Sequence, residues 1–104
     1  MLDQLIFVGF NSRVAALNRD TGETVWTWKS NASGYLTLLL DGDRLIVSVN
    51  GYTWCVDPLT GQTIWYNNLP GMGTGVPSLA SVRGSSPGAG AAAAVEDHRR
   101  RSSD

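Results

Sequence analysis

Residues Ala16–Trp26, A-L-N-R-D-T-G-E-T-V-W, recur 39 positions further on as Cys55–Trp65, C-V-D-P-L-T-G-Q-T-I-W. The likeness reaches beyond this stretch. At the same offset the identical pairs are Val8/Val47, Asn11/Asn50, Thr21/Thr60, Gly22/Gly61, Thr24/Thr63 and Trp26/Trp65. Ile6/Leu45, Leu17/Val56, Asn18/Asp57, Glu23/Gln62 and Val25/Ile64 are conservative replacements. The matches fall on turn residues and apolar residues alike, which marks a genuine internal repeat with a period of about 40 residues.

Within each copy the residues read as short strands joined by turns. Leu5 to Gly9 is a β-branched and aromatic run too short for an ordinary helix. Asn11-Ser12 is a turn, and Arg13 to Asn18 a second strand. Arg19-Asp20-Thr21-Gly22 turns again, with Gly22 suited to a positive φ. Glu23 to Lys29 alternates, so Val25 faces one side and Trp26 and Trp28 the other. After a loop at 30–34, Leu36 to Leu40 is nearly continuous apolar sequence, and Asp41-Gly42-Asp43 makes a hairpin turn. The series then restarts: strands are expected at Arg44–Val49, Tyr52–Asp57 and Gln62–Asn68, with turns at Asn50-Gly51 and Pro58–Gly61. Val76 to Val82 stands where the next apolar strand is due, weakened by Pro77 and two serines. From Arg83 the pattern fails. Gly, Ala, Ser and Arg dominate from there, with too little apolar mass to offset the entropy of ordering.

Four short antiparallel strands per repeat describe one blade of a β-propeller. The fold class expected is therefore all-β: an incomplete propeller of antiparallel four-stranded blades with a disordered C-terminal tail. Residues 1–82 form a two-blade fragment and 83–104 the tail. The first blade lacks its innermost strand, the second is whole, and the third has only its innermost strand.

The motif resembles the pyrroloquinoline quinone (PQQ) type propeller repeat, A-x-D-x-x-T-G-x-x-x-W. The first copy carries Ala16, Thr21, Gly22 and Trp26, with Asn18 in place of Asp. The second carries Asp57, Thr60, Gly61 and Trp65, with Cys55 in place of Ala. The resemblance covers roughly residues 4 to 82 and implies that Trp26 and Trp65 dock each blade onto its neighbour. Chemistry agrees: Asp57 or Asn18 can accept from free N–H groups of the turn, and the Thr hydroxyl can hold it.

Composition narrows the function classes. Through Val82 four basic residues stand against six acidic ones, a net of −2, which leaves no basic face for nucleic acid. The single Cys55 excludes an internal disulfide and a Cys-based zinc cluster. No apolar run reaches the span of a membrane helix. Met1 to Gln4 lacks the basic start of a secretory signal and is interrupted by Asp3; the compartment stays open, though members of the resembling family are often periplasmic or extracellular. Asn31-Ala32-Ser33 is a glycosylation sequon with meaning only in a secreted chain.

The PQQ enzymes of the family hold a quinone and calcium at the propeller axis, many beneath a pair of adjacent cysteines. Here Cys55 reads as a buried filler and Asp41/Asp43 as a solvated turn. Met72 to Gly75 is plain loop without a phosphate-binding Lys, and His98 and Arg99–Arg101 belong to the tail. No catalytic, cofactor-binding or metal-binding residue is assigned, and no cofactor is expected. Two readings remain. One is a non-catalytic repeat module with a scaffold or protein-interaction role, similar to the propeller that scaffolds outer-membrane protein assembly in Gram-negative bacteria. The other is a piece of a quinoprotein alcohol or sugar dehydrogenase whose active site lies in blades outside this chain. Two blades leave two apolar faces bare, so partners are expected to be other blades or copies of the chain itself.

Overall fold

Among the described residues there are nine strands, and every pairing between them joins neighbours in sequence. The computed structural model describes residues 2–82 and 84–86, with side chains through Val82. The rest of the stretch expected as a tail lies outside the described residues. A single 3₁₀ turn, Leu2–Gln4, precedes the first strand.

The first sheet is β1 (Leu5–Phe10), β2 (Arg13–Asn18) and β3 (Thr24–Lys29), antiparallel in that order. The second is β4 (Leu36–Asp41), β5 (Arg44–Val49), β6 (Tyr52–Val56) and β7 (Thr63–Asn67). The third is a hairpin of β8 (Leu79–Ser81) and β9 (Gly84–Ser86). The sheets do not close on themselves, so the molecule is an incomplete propeller: blade one without an inner strand, blade two entire.

Blade three departs from expectation in two ways. Its inner strand is only Leu79–Ser81 instead of Val76–Val82, because Pro77 has no N–H for a ladder and Gly75 holds a backbone turned away from β geometry. The strand pattern also continues past Arg83, since β9 pairs with β8 through Leu79↔Ser86, Ala80↔Ser85 and Ser81↔Gly84.

The repeat reappears in backbone detail. Asn11-Ser12 and Asn50-Gly51 both have positive φ at each central position, the mirror-image turn whose twist matches a hairpin. Register shifts fall between Ala16/Leu17 in blade one and Cys55/Val56 in blade two, the same place in each copy. Such bulges bend a strand just ahead of its turn.

The core lies between the first two sheets. Val14, Ala16, Trp26 and Trp28 of blade one meet Leu45, Val47, Val49, Trp54 and Val56 of blade two. Strand alternation sorts them: Val14 opposes Trp28 and Ala16 opposes Trp26 on one face of the first sheet, leaving Ile6, Val8, Phe10 and Val25 on the other and exposed. At the inner end the sheets come so close that a Cβ on Gly9 would collide with the Leu36 side chain and sit 3.1 Å from Leu38 Cδ1. A side chain there would require the two leucines to move.

Candidate functional site

The site is the turn before the last strand of each of the first two sheets, together with the Trp that follows. In blade one Asn18 Oδ1 accepts from the N–H groups of Asp20 (2.8 Å) and Thr21 (3.1 Å). Thr21 Oγ1 accepts from the N–H of Glu23 at 3.2 Å, and the Gly22 N–H donates to the Asn18 carbonyl at 2.8 Å. Blade two repeats this with Asp. Asp57 Oδ1 accepts from the Leu59 N–H at 2.9 Å, Thr60 Oγ1 from the Gln62 N–H at 3.2 Å, and the Gly61 N–H donates to the Asp57 carbonyl at 2.8 Å. Gly22 and Gly61 hold φ of 79° and 82°, a left-handed backbone that strains any other residue. The polar groups of the motif are thus occupied in shaping the loop.

The loop of blade two receives the Trp of blade one. Trp26 is 9% exposed, its Nε1 donates to the Pro58 carbonyl at 2.8 Å, and its ring lies on Gly61, where an added Cβ would fall 2.8 Å from Cδ2 and Cε3. Phe7 backs the indole at 6.0 Å between ring centroids, and the fully buried Ala16 leaves the space it needs across the strand pair. Burying a Trp removes about 150–250 Å² from water, worth on the order of 4–6 kcal/mol as an upper bound at ~25 cal/mol per Å².

Trp65, the same position in blade two, is 45% exposed. Among the described residues the third sheet has two short strands and no counterpart of the Asp57–Gly61 loop. The motif residues therefore form two separate groups: Trp26 joins Asp57, Thr60 and Gly61 across the sheets, while Asn18, Thr21 and Gly22 stand at the far face of blade one, away from Trp65.

A second inter-blade link was not singled out from the sequence. Trp28 Nε1 donates to Thr63 Oγ1 at 3.0 Å, and its ring meets Trp54 edge-on at 5.1 Å. Tyr66 continues this aromatic row, 5.2 Å from Trp54, and stacks with Tyr52 at 6.4 Å. The signal available was the W-x-W spacing, which puts Trp28 on the face of Trp26. Pro58, fully buried, also escaped notice as the residue whose carbonyl takes the indole.

The remaining sequence candidates fall as follows. Cys55 is fully buried, and burial pushes its thiol above the ordinary range, with Asp43 and Asp57 adding to the rise and Arg44 opposing it. Gly42 and Asp43 form the turn between β4 and β5, and Asp43 Oδ2 lies 3.2 Å from Arg44 Nη1 at the surface. Among the described residues no three His, Cys, Asp or Glu side chains gather where one metal ion could be held. Residues 69–78 run as loop over Ser48 and Thr53, and the Gly75 N–H donates to Asn50 Oδ1 at 3.0 Å. Asn31 and Ser33 of the sequon are exposed. His98 and Arg99–Arg101 lie outside the described residues. No helix among the described residues is long and apolar enough to cross a membrane.

Stacked antiparallel sheets, with the Trp of the first set against the turn of the second, define a propeller-repeat protein. The family model described as outer membrane protein assembly factor BamB, a PQQ-type repeat family, matches residues 2–84, and the chain belongs to that family. Comparison with curated proteins gives no match.

Proposed function

We propose that this chain is a non-catalytic propeller-repeat module that works by presenting blade faces to other blades or to protein partners. Ala16, Asn18, Thr21, Gly22 and Trp26, with Asp57, Thr60, Gly61 and Trp65, are its docking residues. The observation that carries this reading is the seat of Trp26: an indole hydrogen-bonded to Pro58 and laid on Gly61 of the next blade. Asn18 Oδ1, Thr21 Oγ1, Asp57 Oδ1 and Thr60 Oγ1 each accept from N–H groups of their own loop, so these side chains shape a docking surface. The family description, which speaks of outer membrane protein assembly, accords with a scaffold role.

The test is to add PQQ and calcium to the folded chain and follow the quinone absorbance after equilibrium dialysis. No stoichiometric retention is expected. One quinone held per chain would overturn the reading and make this a quinoprotein segment.

A further inference from the structure

The joint between the first two sheets also forms a cleft that blade docking does not use. Its walls are Asn31, Ala32 and Ser33 of the loop between β3 and β4, facing Asn50, Tyr52 and Tyr66 of blade two. Both sheets of this joint are present among the described residues. The space is about 390 Å³, within the ~300–1,000 Å³ of small-molecule sites. One wall is aromatic: Tyr52 and Tyr66 lie 6.4 Å apart with their planes only 17° from parallel, and they are 36% and 50% exposed. Both rings pack against the buried Trp54, at 6.4 and 5.2 Å between centroids, and Trp54 meets Trp28 of blade one at 5.1 Å. The exposed tyrosines are thus anchored in the inter-blade core. The other wall is polar, and none of the six residues is Asp, Glu, Lys, Arg or His. Asn31 and Ser33 are open to solvent. Asn50 Oδ1 accepts from the Gly75 N–H at 3.0 Å, which leaves the Asn50 NH₂ as a donor. The 31–33 loop is held from behind by the buried Ser30, whose hydroxyl donates to the Ala32 carbonyl at 2.7 Å and accepts from the Ala32 N–H at 3.2 Å. Walls fixed in advance spare a ligand the cost of ordering them.

The geometry points to a binding site for a neutral oligosaccharide, its apolar C–H face laid on Tyr52 and Tyr66 and its hydroxyls bonded to Asn31, Ser33 and Asn50. The chemistry of the walls selects this class over its rivals. A nucleic acid or other polyanion is held by clustered Lys and Arg, and the cleft has neither. A wholly apolar ligand would strip water from two amides and a hydroxyl without replacing the lost hydrogen bonds. A proline-rich peptide also docks on aromatic rings, but proline has no N–H, so it brings acceptors alone and leaves the Asn31 and Ser33 oxygens without donors. A sugar ring has an apolar face and a rim of hydroxyls that both donate and accept, which matches both walls at once. The site goes beyond the module role proposed above, and none of the docking residues lines it.

The experiment is an NMR titration of the full ¹⁵N-labelled chain with cellohexaose, maltohexaose and chitohexaose, alongside hexaproline and a heparin hexasaccharide. At least one neutral sugar is expected to bind with a Kd of about 1 mM or tighter and to shift the side-chain NH₂ signals of Asn31 and Asn50. Tyr66→Ala should weaken that binding about tenfold or more, as loss of an aromatic anchor does, while Tyr66→Phe, which keeps the ring, should retain it. The amide spectrum shows whether each variant is folded; if Tyr66→Ala is not, Asn31→Ala in the exposed loop replaces it, with a loss of several-fold expected. Three results overturn the assignment: no shift of those amides by any neutral sugar at about 20 mM, tighter binding of hexaproline or heparin than of every neutral sugar, or sugar binding untouched by the folded variant. Any of these leaves the blade-docking role standing, since that role is read from quinone retention and not from this cleft.

Discussion

Two alanine substitutions at equivalent glycines separate blade docking from backbone strain. Gly22 and Gly61 have nearly the same positive φ, so alanine costs each the left-handed penalty of about 1–2 kcal/mol. Their surroundings differ. The new Cβ at 61 falls 2.8 Å from two carbons of the Trp26 ring, whereas at 22 it enters open space among the described residues. Trp26 cannot swing away cheaply, since its N–H is tied to Pro58 and Phe7 lies behind it. Overpacking of this kind adds roughly 1–3 kcal/mol. Gly61→Ala should thus cost about 2–5 kcal/mol and Gly22→Ala about 1–2. Urea unfolding followed by far-UV circular dichroism reads the difference, with sucrose added because a chain this small has only some 5–10 kcal/mol to lose. At roughly 1 kcal/mol per molar urea, the Gly61 midpoint should fall about 1–3 M below that of Gly22. Equal midpoints would refute the claim that the turn is a seat for Trp26.

The second inter-blade bond is measurable by a double-mutant cycle. Trp28→Phe and Thr63→Val, which break the 3.0 Å bond from either side, should show a coupling of about 1 kcal/mol, and a coupling near zero removes this bond from the docking account. Cys55 predicts an alkaline loss of stability. Its thiol is raised in the folded chain, so the unfolded chain gives up the proton first. The stabilising effect is complete below the ordinary value of 9.0 and declines as pH climbs above it. Cys55→Ala, the residue found at position 16, should flatten that decline, and the native thiol should react slowly with a disulfide reagent. A slope unchanged by the substitution would contradict the assignment.

What was legible in the chain was whatever local chemistry decides. Arg13–Asn18 and Arg44–Val49 appear as strands with the bounds read from sequence, because β-branched alternation stops at Asn, Asp or Gly with a left-handed preference. The Asn18 and Asp57 loops were legible for the same reason, their hydrogen bonds lying within a few residues. Partners across the sheets were not. Trp26 and Pro58 are 32 residues apart, and nothing near either one encodes the other. The tandem copy alone hinted that a Trp in one repeat meets a turn in the next. Trp65 shows the limit of motif reading: its sequence context equals that of Trp26, but its burial depends on a surface the described residues do not contain. Blade three was misjudged in extent, as Gly84-Ser85-Ser86 has neither alternation nor bulk and becomes a strand through pairing with β8.

The contact between Trp26 and the Pro58 loop is directional, and direction has a consequence for how such chains can grow. Each repeat carries one half of the joint on either side. Duplicating or deleting a repeat removes as many halves of one kind as of the other. A linear run of any length therefore presents the same two ends, and no new joint has to be invented when the number of copies changes. Point substitutions behave differently, because a change to the Trp or to the turn of one repeat alters a single joint and leaves the others intact. Such a fold can vary its number of units by recombination while each joint is tuned separately, which makes the pair of residues at a joint, and not the blade, its smallest unit of change.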